Sequence, residues 1–261
     1  MEIKTVKTDG FEMDYFCFGN GSKVFMIIPG LSLRSVMLSA QVIAGAYKDF
    51  KKDYTVYVFD RRKNAPAGYS VRDMARDTAA VMKKIGISQA DIFGASQGGM
   101  IAQYLAIDYP ELVHSIVIGS SYSRGNDITK KVFDRWIALA EKKDVPSLNH
   151  DFFINIYSDE FLEANADALP LVEKLGTAQE CEQFIIFARA CVDFDSYDEL
   201  EKIKCPILVI GAGQDKVLTG ESSVEMAEKL GCELYIYESA AHAVYDEAPD
   251  YKERIMKFFS K

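Results

Sequence analysis

The sequence predicts an α/β fold in which a mostly parallel sheet is covered by helices on both faces. Two observations predict it. Short β-branched or apolar runs bounded by turn residues alternate with helical stretches through the first half of the chain, and two more such runs follow a purely helical interval. Strands that alternate with helices are joined by crossovers, which set neighbouring strands parallel and bury both faces of the sheet.

Taken in order, Lys4 to Thr8 and Phe11 to Phe18 flank Asp9-Gly10, a hairpin signal, so the sheet should begin with an antiparallel pair. Val24 to Ile28, Tyr54 to Phe59, Asp91 to Phe93 and Ser115 to Ile118 read as buried strands. Between the second and third of these, residues 70–85 place Val71, Met74, Ala75, Thr78, Met82 and Ile85 on one helical face. Ser70 stands as N-cap with Asp73 three residues on, and Gly86 as the stop. The stretch from Gln97 to Tyr109 is apolar nearly all round and ends before Pro110, which suits a helix packed on the sheet. From about Arg124 to Leu200 helical periodicity continues without a convincing strand, and then Pro206 to Ile210 and Glu233 to Tyr237 resume the strand pattern. Residues 124–200 therefore read as a helical insertion dividing a core made of residues 1–123 and 201–261.

A chain of 261 residues, 49% apolar and 26% charged, has ample material for one large core with an insertion. Its 30 Lys+Arg against 39 Asp+Glu give a net charge of −9, a field that repels nucleic acid and anionic membrane surfaces, so no nucleic-acid partner is expected. Residues 124–200 hold 8 Lys+Arg and 16 Asp+Glu, so nearly all of the excess lies on the insertion, as a solvated surface or a rim that disfavours polyanions. The five cysteines form no C-x-x-C pair, and the first seven residues mix charges where a signal peptide would need an apolar stretch. No apolar run approaches the roughly 18 residues of a membrane span. A cytoplasmic protein with reduced thiols and no membrane span is the expectation. No H-E-x-x-H, EF-hand loop or P-loop occurs, so neither a metal nor a nucleotide cofactor is expected.

The most specific chemical signal is Gly94-Ala95-Ser96-Gln97-Gly98-Gly99, a G-x-S-x-G between a strand and a buried helix. A serine hydroxyl becomes a nucleophile only when a base takes its proton and the backbone holds it exposed, and a tight strand-to-helix turn does the second. The small residues at 94 and 98 let the turn pass neighbouring chain closely, while the helix N-terminus favours negative charge developing near Ser96.

On this motif and its context the chain resembles the α/β-hydrolase superfamily over essentially its whole length, in its lidded, esterase-like branch. The resemblance implies an eight-stranded sheet with the second strand antiparallel and a helical lid inserted after the sixth strand. It also implies a nucleophile, an acid and a histidine in that order. Of the three histidines, His114 enters a strand and His150 lies in the insertion, whereas His242 stands five residues after the last strand run and is the candidate base. Alanine precedes it where the family often has glycine. The loop Gly211-Ala212-Gly213-Gln214-Asp215 resembles the family's acid loop, with Asp215 as the acid and Asp127 in reserve, because some members carry the acid after the sixth strand. The oxyanion hole would combine the backbone N–H of Gln97 with that of Leu31 in Pro29-Gly30-Leu31, where many relatives carry His-Gly. Asp60-Arg61-Arg62 resembles the family's Asp-x-Arg segment without its glycines and reads as a structural ion pair. The implied activity is a cofactor-independent serine hydrolase cleaving an ester or related acyl bond of a small substrate. Relatives with the same triad include aminopeptidases of the proline iminopeptidase type and carbon–carbon bond hydrolases. A non-catalytic ligand-binding homologue is the alternative from another class.

Overall fold

Strand β1 (Lys4–Thr8) pairs antiparallel with β2 (Phe11–Phe18), Thr8 opposite Phe11. The computed structural model describes residues 1–8 and 10–261, so the Asp9 half of the expected Asp9-Gly10 turn lies outside the described residues. β2 runs antiparallel to β4 (Tyr54–Arg62), while β3 (Lys23–Ile28), β4, β5 (Ala90–Ala95), β6 (Val113–Gly119), β7 (Ile207–Ala212) and β8 (Glu233–Tyr237) run parallel. The eight form one sheet in the order β1-β2-β4-β3-β5-β6-β7-β8. Several strands are longer than their apolar runs. β5 continues through Gly94 and Ala95 and β6 through Gly119, small residues that join the ladder through backbone alone and leave no hydrophobic signature.

The helices are α1 (Ala40–Ala46), α2 (Val71–Lys84) and α3 (Gln97–Asp108), then α4 (Asp127–Glu141), α5 (Val145–Ile156), α6 (Asp159–Ala164), α7 (Leu169–Val172) and α8 (Glu180–Val192) between β6 and β7. α9 (Gly220–Leu230), α10 (Val244–Glu247) and α11 (Tyr251–Phe259) follow. Alternation along each strand sends its side chains to opposite faces. Phe25, Val56, Phe93, Val117 and Ile210 join one core with Ala40 of α1 and with Ile255 and Phe259 of α11. Met26, Ile92, Ile116 and Val209 join the other with Met74 and Met82 of α2, Met100 and Leu105 of α3 and Met226 of α9. Both faces are thereby covered. The capping box of α2 is complete: Ser70 Oγ accepts from Asp73 N, and the Asp73 carboxylate accepts from Ser70 N at 3.0 Å. Gly86 follows with φ +83°, a conformation open to glycine.

Within the segment that connects β6 to β7, the only β pairing among the described residues is the bridge Arg124–Asp195, at the neck where the helical segment leaves and rejoins the sheet. There Ser196 N donates to Ser123 O at 2.8 Å. α4 packs along α8, and the buried Phe133, Trp136, Phe184 and Phe187 merge with the core on the α2–α3 side of the sheet. The segment thus shares a core with the sheet and does not form a separate one. Among the described residues no helix is long and apolar enough to cross a membrane.

Candidate active site

The parallel strands all end on one side of the sheet, and open α/β sheets bind their ligands at those carboxyl ends. β5 ends in Ser96, whose backbone sits at φ 54° and ψ −120°. A residue with a Cβ holds such a conformation at a cost of about 1–3 kcal/mol, so its surroundings must over-determine it. They do. Ser96 N donates to Gly119 O at 2.8 Å, and Ser96 O accepts from Ser121 Oγ and from Gly99 N, each at 2.8 Å. The flanking glycines are required by close approach: a Cβ on Gly98 would lie 1.9 Å from Ile28 O, and one on Gly94 would lie 2.4 Å from Gly98 O. Ser96 is the N-cap of α3, yet its side chain makes no capping bond and its hydroxyl stays free for the cavity.

β7 leads into Asp215 and β8 into His242, both buried. Asp215 Oδ1 accepts from the backbone N–H groups of Val217 and Leu218 at 2.8 and 2.9 Å, and Oδ2 lies 2.8 Å from His242 Nδ1. The two loops are tied together, because Gly213 N donates to Tyr237 O at 2.9 Å and Gln214 N to Ala240 O at 3.0 Å. With Nδ1 donating to the carboxylate, Nε2 is the nitrogen left to accept a proton. His242 and Ser96 line the same small cavity, of about 30 Å³, whose opposite wall is Phe133, Trp136, Phe152 and Ile156 of α4 and α5. That volume suits one or two waters.

Gly30 and Leu31 also line this cavity. Neither Leu31 N–H nor Gln97 N–H has an acceptor among the described residues, so both are free to bind a developing oxyanion. The side chain of Gln97 links three parts of the molecule. Its Nε2 donates to Phe187 O at 2.9 Å and to Cys191 Sγ at 3.0 Å on α8, and its Oε1 accepts from Arg61 Nε at 2.9 Å. Burial pushes the Cys191 thiol up to about 12, so it is protonated and no nucleophile at neutral pH.

The ion-pair reading of Asp60-Arg61-Arg62 needs correction for one arginine. Arg62 pairs with Asp77 at 3.1 Å. Arg61 forms no ion pair among the described residues; its Nη2 donates to the carbonyls of Pro29 and Gly30 and braces the loop that carries Leu31. Strand-end alternation does not reveal which of two adjacent arginines turns toward that loop. The reserve acid Asp127 is the exposed first residue of α4, and His242 takes Asp215 as its carboxylate. His114 pairs with Asp91 at the amino end of β6, the far end of the sheet, and His150 with Glu173 on the helical segment. Of the buried aromatic side chains on that segment, Trp136 lines the cavity but Phe153 does not. Phe153 packs on Tyr157 with ring centroids 5.0 Å apart, and Phe152, one residue and about 100° round the helix, faces Ser96 instead.

A set of contacts unforeseen from the sequence joins the end of α5 to the histidine loop. Ala243 N donates to Ile156 O at 2.7 Å, Ser158 N to Glu247 Oε1 at 3.0 Å and Tyr157 OH to Asp246 Oδ2 at 3.1 Å. Burial pushes the Asp246 carboxyl above its ordinary value, and the Tyr157 bond opposes this. Among the described residues no group of three or more His, Cys, Asp or Glu side chains is arranged to hold a metal ion.

A mostly parallel eight-stranded sheet with a G-x-S-x-G turn, an acid loop and a histidine loop at one end defines the class. Residues 23–249 match the family described as the alpha/beta hydrolase fold, and the chain belongs to that family. Among curated proteins it is 26% identical to RutD of Rhizobium rhizogenes, which carries the name carbamate hydrolase, over 79% of this chain and 82% of the relative. It is 24% identical to 3-oxoadipate enol-lactonase 2 of Acinetobacter baylyi, over 82% of this chain and 80% of that one. Among solved structures it superposes on MGS-M2, an α/β hydrolase from a Medee basin deep-sea metagenome library, with a TM-score of 0.88 at 21% identity, covering 99% and 98% of the two chains.

Proposed function

We propose that the chain is a serine hydrolase that cleaves an ester or related acyl bond of a small substrate. The observation that carries this reading is the joint placement of Ser96, in a strained turn, and His242, held by Asp215 at 2.8 Å, on one cavity. Ser96 Oγ attacks the substrate carbonyl as His242 Nε2 takes its proton, and the Asp215 carboxylate stabilises the imidazolium. The carbonyl oxygen becomes an oxyanion bound by the Leu31 and Gln97 N–H groups. Collapse of the tetrahedral intermediate breaks the bond to the leaving group, which takes the proton from His242. Water, deprotonated by the same imidazole, then releases the acyl group and regenerates Ser96.

The helices α4 and α5 act as a lid in this reading. A cavity of about 30 Å³ holds no acyl group, so side chains or helices on that wall must move to admit one. The names of the relatives make carbamates and lactones the first substrates to screen beside p-nitrophenyl esters.

The test is a fluorophosphonate probe with mass-spectrometric mapping. Wild type should carry a single adduct on Ser96, and Ser96→Ala should carry none and lose about 10⁶ in turnover while its circular dichroism is unchanged. Hydrolysis by Ser96→Ala near the wild-type rate would overturn the mechanism. A wild type that neither labels nor turns over any of the panel would point to a ligand-binding homologue.

A further inference from the structure

The two backbone donors that face the Ser96 cavity differ in how they are fixed. Gln97 N–H opens α3, so the helix sets its direction. Leu31 N–H lies in the loop after β3, outside any helix or strand, and follows Gly30, whose missing Cβ leaves the flanking peptide units free to rotate. A trans peptide points its C=O and N–H in opposite directions, so whatever holds Gly30 O also sets the direction of Leu31 N–H. Arg61 holds it. Its Nη2 donates to Gly30 O at 3.3 Å and to Pro29 O, which fixes two successive peptide units at once. Its Nε donates to Gln97 Oε1 at 2.9 Å, and Gln97 Nε2 in turn donates to Phe187 O at 2.9 Å and Cys191 Sγ at 3.0 Å on α8. Two acceptors facing Nε2 leave Oε1 directed at Arg61, so the Gln97 amide has a single orientation. The Asp60 carboxylate beside Arg61 offsets the guanidinium charge, so what Arg61 supplies to the loop is the direction of these bonds.

We propose that Arg61 is a positioning residue for acyl transfer: it aims Leu31 N–H at the Ser96 cavity, and through Gln97 it is itself held in place by α8. The proposal rests on the reading of Ser96 as nucleophile, since without a tetrahedral intermediate there is no oxyanion to bind. Gly30 and Leu31 line the Ser96 cavity and Arg61 does not, so Arg61 acts on the reaction only through the loop. A guanidinium on the carbonyl also polarises the peptide and makes its N–H the stronger donor. Loss of Arg61 should therefore be felt in the transition state, where the carbonyl oxygen carries charge, and not in the binding of a neutral ester. Lysine is no substitute, because an ammonium lacks the planar fork that meets Gly30, Pro29 and Gln97 in fixed directions.

The test combines steady-state hydrolysis of a p-nitrophenyl ester with inhibition by an alkyl trifluoromethyl ketone, whose hemiketal on Ser96 places an oxyanion in the same position. Arg61→Met should lower kcat about 10- to 100-fold with KM within about threefold of wild type, somewhat less than the roughly 10²–10³ that follows deletion of a donor. The inhibition constant of the ketone should rise by the same factor, because a mimic of the transition state tracks kcat/KM. Arg61→Lys should recover only part of the lost kcat. Gln97→Met keeps its backbone N–H and should show the same pattern to a smaller degree, and the double variant should lose less than the product of the two single losses. Wild-type kcat in folded Arg61→Met, a raised KM with kcat unchanged, or a fall in kcat that leaves the ketone's inhibition constant unaltered would each overturn the assignment. Strictly multiplicative losses would overturn the hold through Gln97. If Arg61→Met does not fold, Arg61→Lys, which keeps the charge and most of the stem, decides by the same criteria. A wild type that hydrolyses no ester brings down the Ser96 reading and the role of Arg61 together, whereas an active wild type matched by Arg61→Met brings down the role of Arg61 alone.

Discussion

The two walls of the Ser96 cavity are held in different ways. On the sheet side, Ser96, Asp215 and His242 sit on turns pinned by backbone hydrogen bonds of 2.8–3.0 Å to neighbouring strand ends, with glycines where chain crosses chain. On the helical side, Phe133, Trp136 and Phe152 are placed by ring packing, Trp136 meeting Phe152 at 4.5 Å and Phe133 at 5.5 Å between centroids. Backbone hydrogen bonds are directional and tolerate shifts of only a few tenths of an ångström, whereas apolar contacts accept many nearly equivalent arrangements. The sheet side is built for fixed geometry and the helical side for variable shape.

The largest expected effect is on the sheet side. Asp215→Asn should cost on the order of 10⁴ in kcat, because an amide facing His242 Nδ1 favours the wrong tautomer, and Asp127→Asn on the helical side should leave kcat within a few-fold. Ester hydrolysis by the two purified variants checks this, and the reverse ordering would move the acid to α4. Next comes Trp136→Ala, which removes a large buried ring and should cost about 3–5 kcal/mol in denaturant unfolding. The folded variant should still label with fluorophosphonate while the ranking of esters by kcat/KM shifts by roughly tenfold. Loss of labelling in a variant that remains folded would show that the helical side takes part in the chemistry.

The smallest effect is expected where the two sides meet. Asp246, bonded to Tyr157, has its carboxyl raised by burial from 3.8. A raised carboxyl binds its proton more tightly in the folded chain, so the stability it contributes is present in acid and is lost as pH rises from about 3.8 through the raised value. Asp246→Asn should therefore match wild type in acid and exceed it at neutral pH by about 1 kcal/mol or less, measured as the thermal midpoint against pH. A variant less stable than wild type at neutral pH would mean that the charge is satisfied at this contact and helps hold the walls together.

Much of the sheet side was legible in the residues because its constraints are local. Gly94 and Gly98 announce a close crossing, and the apolar runs before Ser96, Asp215 and His242 place each at the carboxyl end of a parallel strand, where one side of the sheet collects them. Strand ends were less legible, since Gly94, Ala95 and Gly119 pair through backbone alone. The facing of Phe152 toward Ser96, the turn of Arg61 toward Pro29 and Gly30, and the joining of Ile156 and Tyr157 to the histidine loop left no trace in the pattern.

By itself, then, the sequence determined the α/β order of elements, the covered parallel sheet and the turns that bear Ser96, Asp215 and His242. Backbone sterics and side-chain periodicity act between residues near one another in the chain, and so they can be read along it. Only the tertiary structure decided which aromatic rings close over Ser96, which arginine braces the Leu31 loop and how little room the closed cavity leaves. Those outcomes depend on the docking of α4, α5 and α8 onto strand ends as far as 130 residues away in the chain, as between Arg61 on β4 and Cys191 on α8, both bound to Gln97. A helix fixes which residues share a face, but the angle at which that face meets the sheet is chosen by the packing of both surfaces together.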